Sequence, residues 1–375
     1  MLKLSKKYFF ILIGLYVVVS IYMASTTPIS PHEAKLFFNS DGIVSLLMRY
    51  TYSIYPSFLS LRIMFLLCAY LSLFLYYKVS KNYFEDISIS YFATVVFAFL
   101  PGVLTASVLS NISILVIPLV LLFVLFYQHK RYIALSFIML CLFFIHQASI
   151  IFFISIFIYA LLQRDKKLLM ISSSFLIAFI YLAKGISIGG RPSGHFVDIF
   201  GLYAGVFSPL LFLYFFYSNY RIFLREKKNL IWYISFIALI VSLILSIRQK
   251  IYITDFAPYV VISIVSMIEV FQRSIQVRLP VFQTTYKKTY YLVMATFILS
   301  SMVIVWHKAI FDLLDRPKTY FAYKIYYPYY KAKELKVQGV SCIENLQSKS
   351  KYQFRFYGIT DCTNPKIDNV SKIHN

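Results

Sequence analysis

The sequence predicts an all-α polytopic membrane protein of about 11 transmembrane helices, within a range of about 10–13. Composition, the spacing of apolar runs and the placement of positive charge predict it. Of 375 residues, 60% are hydrophobic and 19% aromatic, and the mean hydropathy is +0.72. A soluble domain of this length cannot hide that much apolar surface. Apolar runs of roughly 16 to 22 residues, enough to cross a bilayer core, occur near 8–24, 61–77, 88–108, 112–127, 133–147, 149–162, 168–184, 202–220, 230–246, 256–272 and 290–306. They are apolar throughout rather than alternating, so helices are expected, because a helix satisfies its own backbone in lipid. A net charge of +22 would point to nucleic acid in a soluble chain. Here the cations sit in gaps between apolar runs, so the partner they imply is the lipid bilayer, with no nucleic acid.

Lys3, Lys6 and Lys7 precede the first run, which extends from Tyr8 to Ala24 with no good small-x-small site after it; it reads as a retained first helix. With the N-terminus inside, the stretches 1–7, 78–87, 128–132, 163–167, 221–229 and 273–289 carry 18 Lys or Arg, against 7 in the opposite short loops. The positive-inside rule favours that orientation, with a cytoplasmic N-terminus, an extracytoplasmic C-terminus and a bacterial inner (plasma) membrane as the setting. The division expected is a transmembrane domain over 1–306 and a small extracytoplasmic segment over 307–375, too short to hold a substantial core alone.

The first outer loop, about residues 25–60, mixes Leu36, Phe37, Phe38, Ile43, Val44, Leu46, Leu47 and Met48 with polar residues, as surface-lying amphipathic helices do. Ser30 can cap a helix opening at Pro31, with Glu33 in its first turn. In the tail, Tyr320, Tyr323, Tyr326, Tyr327, Tyr329 and Tyr330 suit an interfacial aromatic belt. Cys342 and Cys362 are the two cysteines outside the apolar runs, and their extracytoplasmic placement suits a disulfide. Cys68 and Cys141 fall within runs and read as packing residues.

Only 15 residues are Asp or Glu, which makes Glu33 the leading catalytic candidate, a carboxylate able to take a proton from an acceptor hydroxyl. The alternative is a carboxylate that pairs with Lys35 or stabilises a helix start. His32 could orient Glu33 or join it on a metal, and Asp41 is a reserve acid. A departing phosphate needs cations. Arg248 and Lys250 interrupt a short outer loop against the charge trend, and Arg49, Arg62 and Arg191 are further candidates, with interfacial snorkelling as the competing account. Asn111, His146 and His195 are secondary candidates, since polar groups at such membrane positions are often functional. The glycines of 185–194 read as a flexible loop over a cavity rather than a phosphate cradle, because no strand-to-helix context is present.

Taken together, His32-Glu33-Ala34 after the first helix, Ser60-Leu61-Arg62 before the second, Ala93 through Pro101, and the late set Arg248, Lys250, Tyr252 and Pro258 resemble an integral-membrane glycosyltransferase of the GT-C type. The likeness is especially to glycosyltransferase family 39, the protein O-mannosyltransferase and aminoarabinose-transferase-like group, over roughly residues 8–270. His32 stands where that family has its first acid, and Asn111 where an acid often opens the fourth span. The resemblance implies a polyprenyl-phosphate sugar donor, with hexosyl or pentosyl transfer to a glycan, lipid or protein acceptor. It also implies inverting direct displacement, Glu33 as base or acceptor-orienting group, and binding roles for His32, Arg62, Arg191, Arg248 and Lys250. It names no certain cofactor and leaves a divalent metal open. Two other functions fit the same composition: a polysaccharide polymerase or ligase of that compartment, and a lipid-glycan flippase or transporter.

Overall fold

The computed structural model describes residues 3–182, 195–278, 280–315, 317–343 and 350–362. The first apolar run forms α1 (Lys6–Thr26). Two short helices follow in the first loop, α2 (Pro31–Asn39) and α3 (Ile43–Ile54), and a 3₁₀ turn at Ser60–Arg62 leads into α4 (Ile63–Tyr83). Next come α5 (Ile87–Phe99), α6 (Pro101–Val108), α7 (Ile112–Gln128), α8 (Tyr132–Ile145), α9 (Ser149–Gln163) and α10 (Lys166–Leu182). Then follow α11 (Phe196–Phe207), α12 (Pro209–Arg225), α13 (Leu230–Arg248), α14 (Ile253–Val261), α15 (Ile264–Val277) and α16 (Pro280–Val305). The tail contains α17 (His307–Leu313), α18 (Tyr323–Val337), β1 (Cys342–Ile343), α19 (Lys351–Phe356) and β2 (Thr360–Asp361).

Over its described residues each apolar run named above is mainly helical, but three of the runs are broken. Pro101 has no N–H to give and pushes Leu100 out of the helical region, so α5 and α6 meet at 60°. The run 202–220, expected as one span, is split: Ser208 takes φ +91° before Pro209, and α11 and α12 bend by 105°. α14 and α15 bend by 43°. Among the described residues four helices are long and apolar enough to cross a membrane, or up to seven with each bent pair as one span. α7, α8 and α9 are shorter, at 17, 14 and 15 residues, because a cap or turn stops each of them. At about 1.5 Å per residue they fall short of a bilayer core of about 30 Å.

The chain divides into two compact units that do not follow its order. The first comprises residues 1–18, 65–107 and 111–304. In lipid, helices associate through close packing and interhelical hydrogen bonds rather than through a hydrophobic drive. Accordingly Ser235 Oγ donates to the Val260 carbonyl at 3.1 Å, joining α13 to α14, and the Tyr203 and Ser242 hydroxyls meet at 2.9 Å, joining α11 to α13. Gly102 marks the tightest approach among the described glycines. A Cβ there would lie 2.5 Å from Val206 Cγ1 and 3.2 Å from its Cα, so backbone would have to move. Gly102→Ala is expected to lower stability by roughly 1–3 kcal/mol, as overpacking does, read as a drop in the melting temperature of the detergent-solubilised protein; an unchanged melt would show that α6 and α11 can part freely.

Polar contacts group the loops of this unit as the charge count does. Lys3 Nζ lies 2.8 Å from Asp86 Oδ2, Asn82 donates to Gln128, Tyr132 OH donates to Asp165 at 3.1 Å, and Arg273 donates to Glu226 at 2.8 Å. These contacts join stretches of the lysine- and arginine-rich set. The opposite loops are joined by contacts between residues 111–113, 146 and 254–255, described below.

The second unit comprises residues 19–64, 108–110 and 305–375. The tail, expected to stand apart from 307, thus shares its unit with the first outer loop. α19 packs on α2, with the Phe37 and Phe356 rings 5.7 Å apart and the Arg355 guanidinium 4.8 Å from the Phe38 ring centre. Gln353 donates to the Ile29 carbonyl at 2.9 Å. Ala332, Leu335, Phe354 and Ile359 form a small core. Beside it β1 and β2 pair in parallel and a Cys342–Cys362 disulfide closes the segment. Cys68 and Cys141 are free.

Candidate functional site

The helix start expected at Ser30 is a full capping box. Ser30 Oγ accepts from the Glu33 amide at 3.2 Å, and Glu33 Oε2 accepts from the Ser30 amide at 2.9 Å. Arg62 supplies the rest of the environment from the second unit's 3₁₀ turn. Its Nε donates to Glu33 Oε1 at 3.0 Å and its Nη2 to Oε2 at 2.9 Å, while the Ser110 amide donates to Oε1 at 2.9 Å. Each carboxylate oxygen therefore accepts twice. The remaining guanidinium donors reach the carbonyls of Ala24 (2.9 Å), Thr27 (2.6 Å) and Pro28 (3.0 Å), which occupies all five N–H groups. Both side chains are buried, with Glu33 1% and Arg62 0% exposed.

The pair joins two helix ends by the charges those ends favour. Arg62 closes orphan carbonyls at and just beyond the C-terminus of α1, and Glu33 sits at the N-terminus of α2. Burial pushes the Glu33 carboxyl up, but the Arg62 charge, its hydrogen bonds and the Ser110 and Ser30 amides outweigh that and hold it below its ordinary value. Around the node, Thr27 Oγ1 lies 3.5 Å and Tyr326 OH 2.9 Å from His307 Nε2. Glu33 was expected as the proton acceptor. Instead it has no free lone pair for a hydroxyl or a metal ion, and its charge is stabilised rather than poised to take a proton. Arg62, expected to bind substrate, is equally committed.

His32 is next to Glu33 in the chain and has no hydrogen-bond partner among the described residues. Its side chain is exposed, and partial desolvation lowers its pKa more than the nearby Glu33 raises it, which favours the neutral ring at pH 7. Asp41 is fully exposed, 3.7 Å from Arg49, and Arg49 braces α2 against α3 through the carbonyls of Phe37 (2.7 Å) and Ser40 (3.0 Å).

A second cluster lies wholly in the first unit. Asn111 caps α7, its Oδ1 accepting from the Ser113 amide at 3.1 Å, and Ser113 Oγ donates to the Thr254 carbonyl at 2.8 Å. The next residue, Asp255, opens α14 and places Oδ1 3.8 Å from His146 Nε2, at the turn between α8 and α9. Ser149 and Tyr259 hydroxyls at 3.2 Å tie α9 to α14 just below. Arg248 ends α13, and Lys250 follows in the loop that leads to Asp255; both are exposed and neither has an ion-pair partner among the described residues. The structure thus brings Asn111, through Ser113, and His146 to the pair Thr254 and Asp255, whereas Arg248 and Lys250 precede that pair in the chain. Asp255 was not singled out in the sequence, although an acid in the first turn of an apolar helix, five residues after a cation that breaks the charge trend, was a usable signal. His195 and Asp198 pair at 3.3 Å on the first turn of α11. Arg191 and the glycines of 185–194 lie outside the described residues. Among the described residues no group of three or more His, Cys, Asp and Glu could hold a metal ion.

Apolar helices, two short helices in the loop after the first span, and a buried acid–arginine node there make up an all-α integral-membrane fold. Among solved structures the chain is similar to the crystal structure of ArnT from Cupriavidus metallidurans in the apo state, with a TM-score of 0.59 over 95% of this chain and 85% of that one. The two are 10% identical in sequence, so the likeness is one of fold. No family model matches the chain, and no curated protein matches it in sequence.

Proposed function

We propose that the protein is a membrane glycosyltransferase that moves a sugar from a polyprenyl-phosphate-linked donor to an envelope glycan, lipid or protein acceptor on the extracytoplasmic face. The observation that carries this reading is the pair of unpartnered cations, Arg248 and Lys250, leading into an acid at a helix end in an ArnT-like fold. In the reaction an acceptor oxygen bonds to the anomeric carbon while the bond from that carbon to the phosphate oxygen breaks. Charge accumulates on the departing polyprenyl phosphate, where Arg248 and Lys250 stabilise it. Direct displacement inverts the anomeric centre, so no glycosyl-enzyme forms. In this reading Glu33 and Arg62 shape the first outer loop. The N-terminus faces the cytoplasm and the tail lies outside.

The test is transfer by the protein in proteoliposomes, with a panel of polyprenyl-phosphate sugars and cell-envelope extracts, read by mass spectrometry. One added sugar per acceptor is the expected product. Arg248→Ala and Lys250→Ala are each expected to raise the donor KM about 10- to 100-fold, the loss of a charge-assisted hydrogen bond. A ladder of repeats would replace this reading with polymerisation. Donor that changes leaflet with no new glycosidic bond would replace it with transport.

A further inference from the structure

We propose that Asp255 and His146 are the acid–base centre of this chain, with Asp255 taking the proton of the acceptor hydroxyl and His146 holding that hydroxyl in place. The inference rests on the transfer proposed above and assigns its base. Two carboxylates stand at helix starts in loops of the outer set, and their surroundings are opposite. Glu33 accepts four hydrogen bonds, from Arg62 twice and from the Ser30 and Ser110 amides. The Asp255 carboxylate accepts none among the described residues, and the imidazole of His146 lies 3.8 Å from it.

His146 is a second, independent sign of a missing occupant. Its side chain is 10% exposed, and its Nε2 is buried with no hydrogen-bond partner, whereas buried polar groups are almost always paired. The 3.8 Å between Nε2 and Asp255 Oδ1 is too long for a direct hydrogen bond. A hydroxyl oxygen at about 2.8 Å from each atom spans it, donating its proton to Asp255 and accepting from Nε2–H.

The setting is rigid where the reaction needs rigidity. Ser113 pins the Thr254 carbonyl immediately before Asp255, Asn111 holds Ser113, and the Ser149–Tyr259 contact fixes α9, which carries on from His146. A base on such braced helix ends keeps its aim. In the step itself the acceptor O–H proton passes to the Asp255 carboxylate and the acceptor oxygen bonds to the anomeric carbon. The phosphate oxygen leaves with the electron pair of the broken bond. Arg248 and Lys250, seven and five residues before Asp255, bring the phosphate-binding charge to the same segment.

The experiment compares wild type, Asp255→Asn and His146→Gln in proteoliposomes, with turnover, binding of polyprenyl phosphate alone, and transfer to azide, an acceptor that has no proton to lose. Asp255→Asn is expected to lower kcat for hydroxyl acceptors about 10²- to 10⁴-fold, the usual share of a general base. Its polyprenyl-phosphate affinity and its rate of glycosyl-azide formation should stay within a few-fold of wild type. His146→Gln is expected to raise acceptor KM and to retain azide transfer. Hydroxyl transfer by Asp255→Asn at the wild-type rate, or loss of azide transfer in step with hydroxyl transfer, overturns the assignment. If Asp255→Asn does not fold, His146→Gln decides: wild-type acceptor KM and kcat in that variant overturn it. Should wild type itself transfer no sugar, it is the proposed function that fails, a result distinct from any variant outcome.

Discussion

Arg62→Met is expected to cost about 3–5 kcal/mol of stability, the usual penalty for stranding one member of a buried ion pair. The loss is large because five donors disappear at once. Glu33 keeps only its two amide donors while remaining charged out of water, and the carbonyls of Ala24, Thr27 and Pro28 at the end of α1 lose their partner. Glu33→Gln removes the charge but leaves Arg62 buried with carbonyls alone, and its NH₂ faces donors on the side where Oε1 or Oε2 accepted. It too should lower the melting temperature sharply. Because the two residues share one network, the double variant should lose less than the sum of the single losses. Thermal melts of the purified variants in one detergent would show this. An undisturbed melt for Glu33→Gln, with transfer abolished, would return Glu33 to the role of base and break the clamp assignment.

The same node sets an acid limit. The folded-state pKa of Glu33 lies below its ordinary value of 4.5, so the unfolded chain binds its proton first as pH falls. The stabilisation is complete above about pH 4.5 and is lost as the pH drops through the lower folded value. Wild type should therefore lose melting temperature below pH 4.5 more steeply than Glu33→Gln, which has no such proton to bind.

The second large effect is expected from the disulfide. Cys342 and Cys362 are 20 residues apart, and closing a loop of that length is worth roughly 3 kcal/mol through the entropy of the unfolded chain. The core it closes is small, resting on Ala332, Leu335, Phe354 and Ile359. Replacing both cysteines by serine should therefore loosen the β1–β2 pair and α19 first. Hydrogen exchange of the amides of Thr360 and Cys362, which donate to the Ser341 and Ile343 carbonyls at 2.9 and 3.2 Å, would report it. Equal protection in wild type and the double serine variant would show that packing alone holds the segment.

How far each residue could be read in advance follows from the range of the forces on it. Ser30, Pro31 and Glu33 declared a helix start, because a capping box is settled within four residues of chain. The break at Ser208 and Pro209 was visible as a proline, yet the apolar run on either side hid it, since hydropathy does not register a missing backbone donor. His146 was visible as a polar group between two apolar runs, but nothing nearby in sequence names Asp255, 109 residues on, as its neighbour.

The sequence by itself determined the all-α membrane class and the positions of the apolar helices along the chain, though not their breaks, because apolar length is a local quantity that lipid and water sort directly. Only the tertiary structure decided what surrounds the two acids. Glu33 is saturated by Arg62 and Ser110, which lie 29 and 77 residues away, and Asp255 is left open beside His146. A carboxylate's chemistry depends on how many donors reach it, and those donors arrive only when distant segments pack.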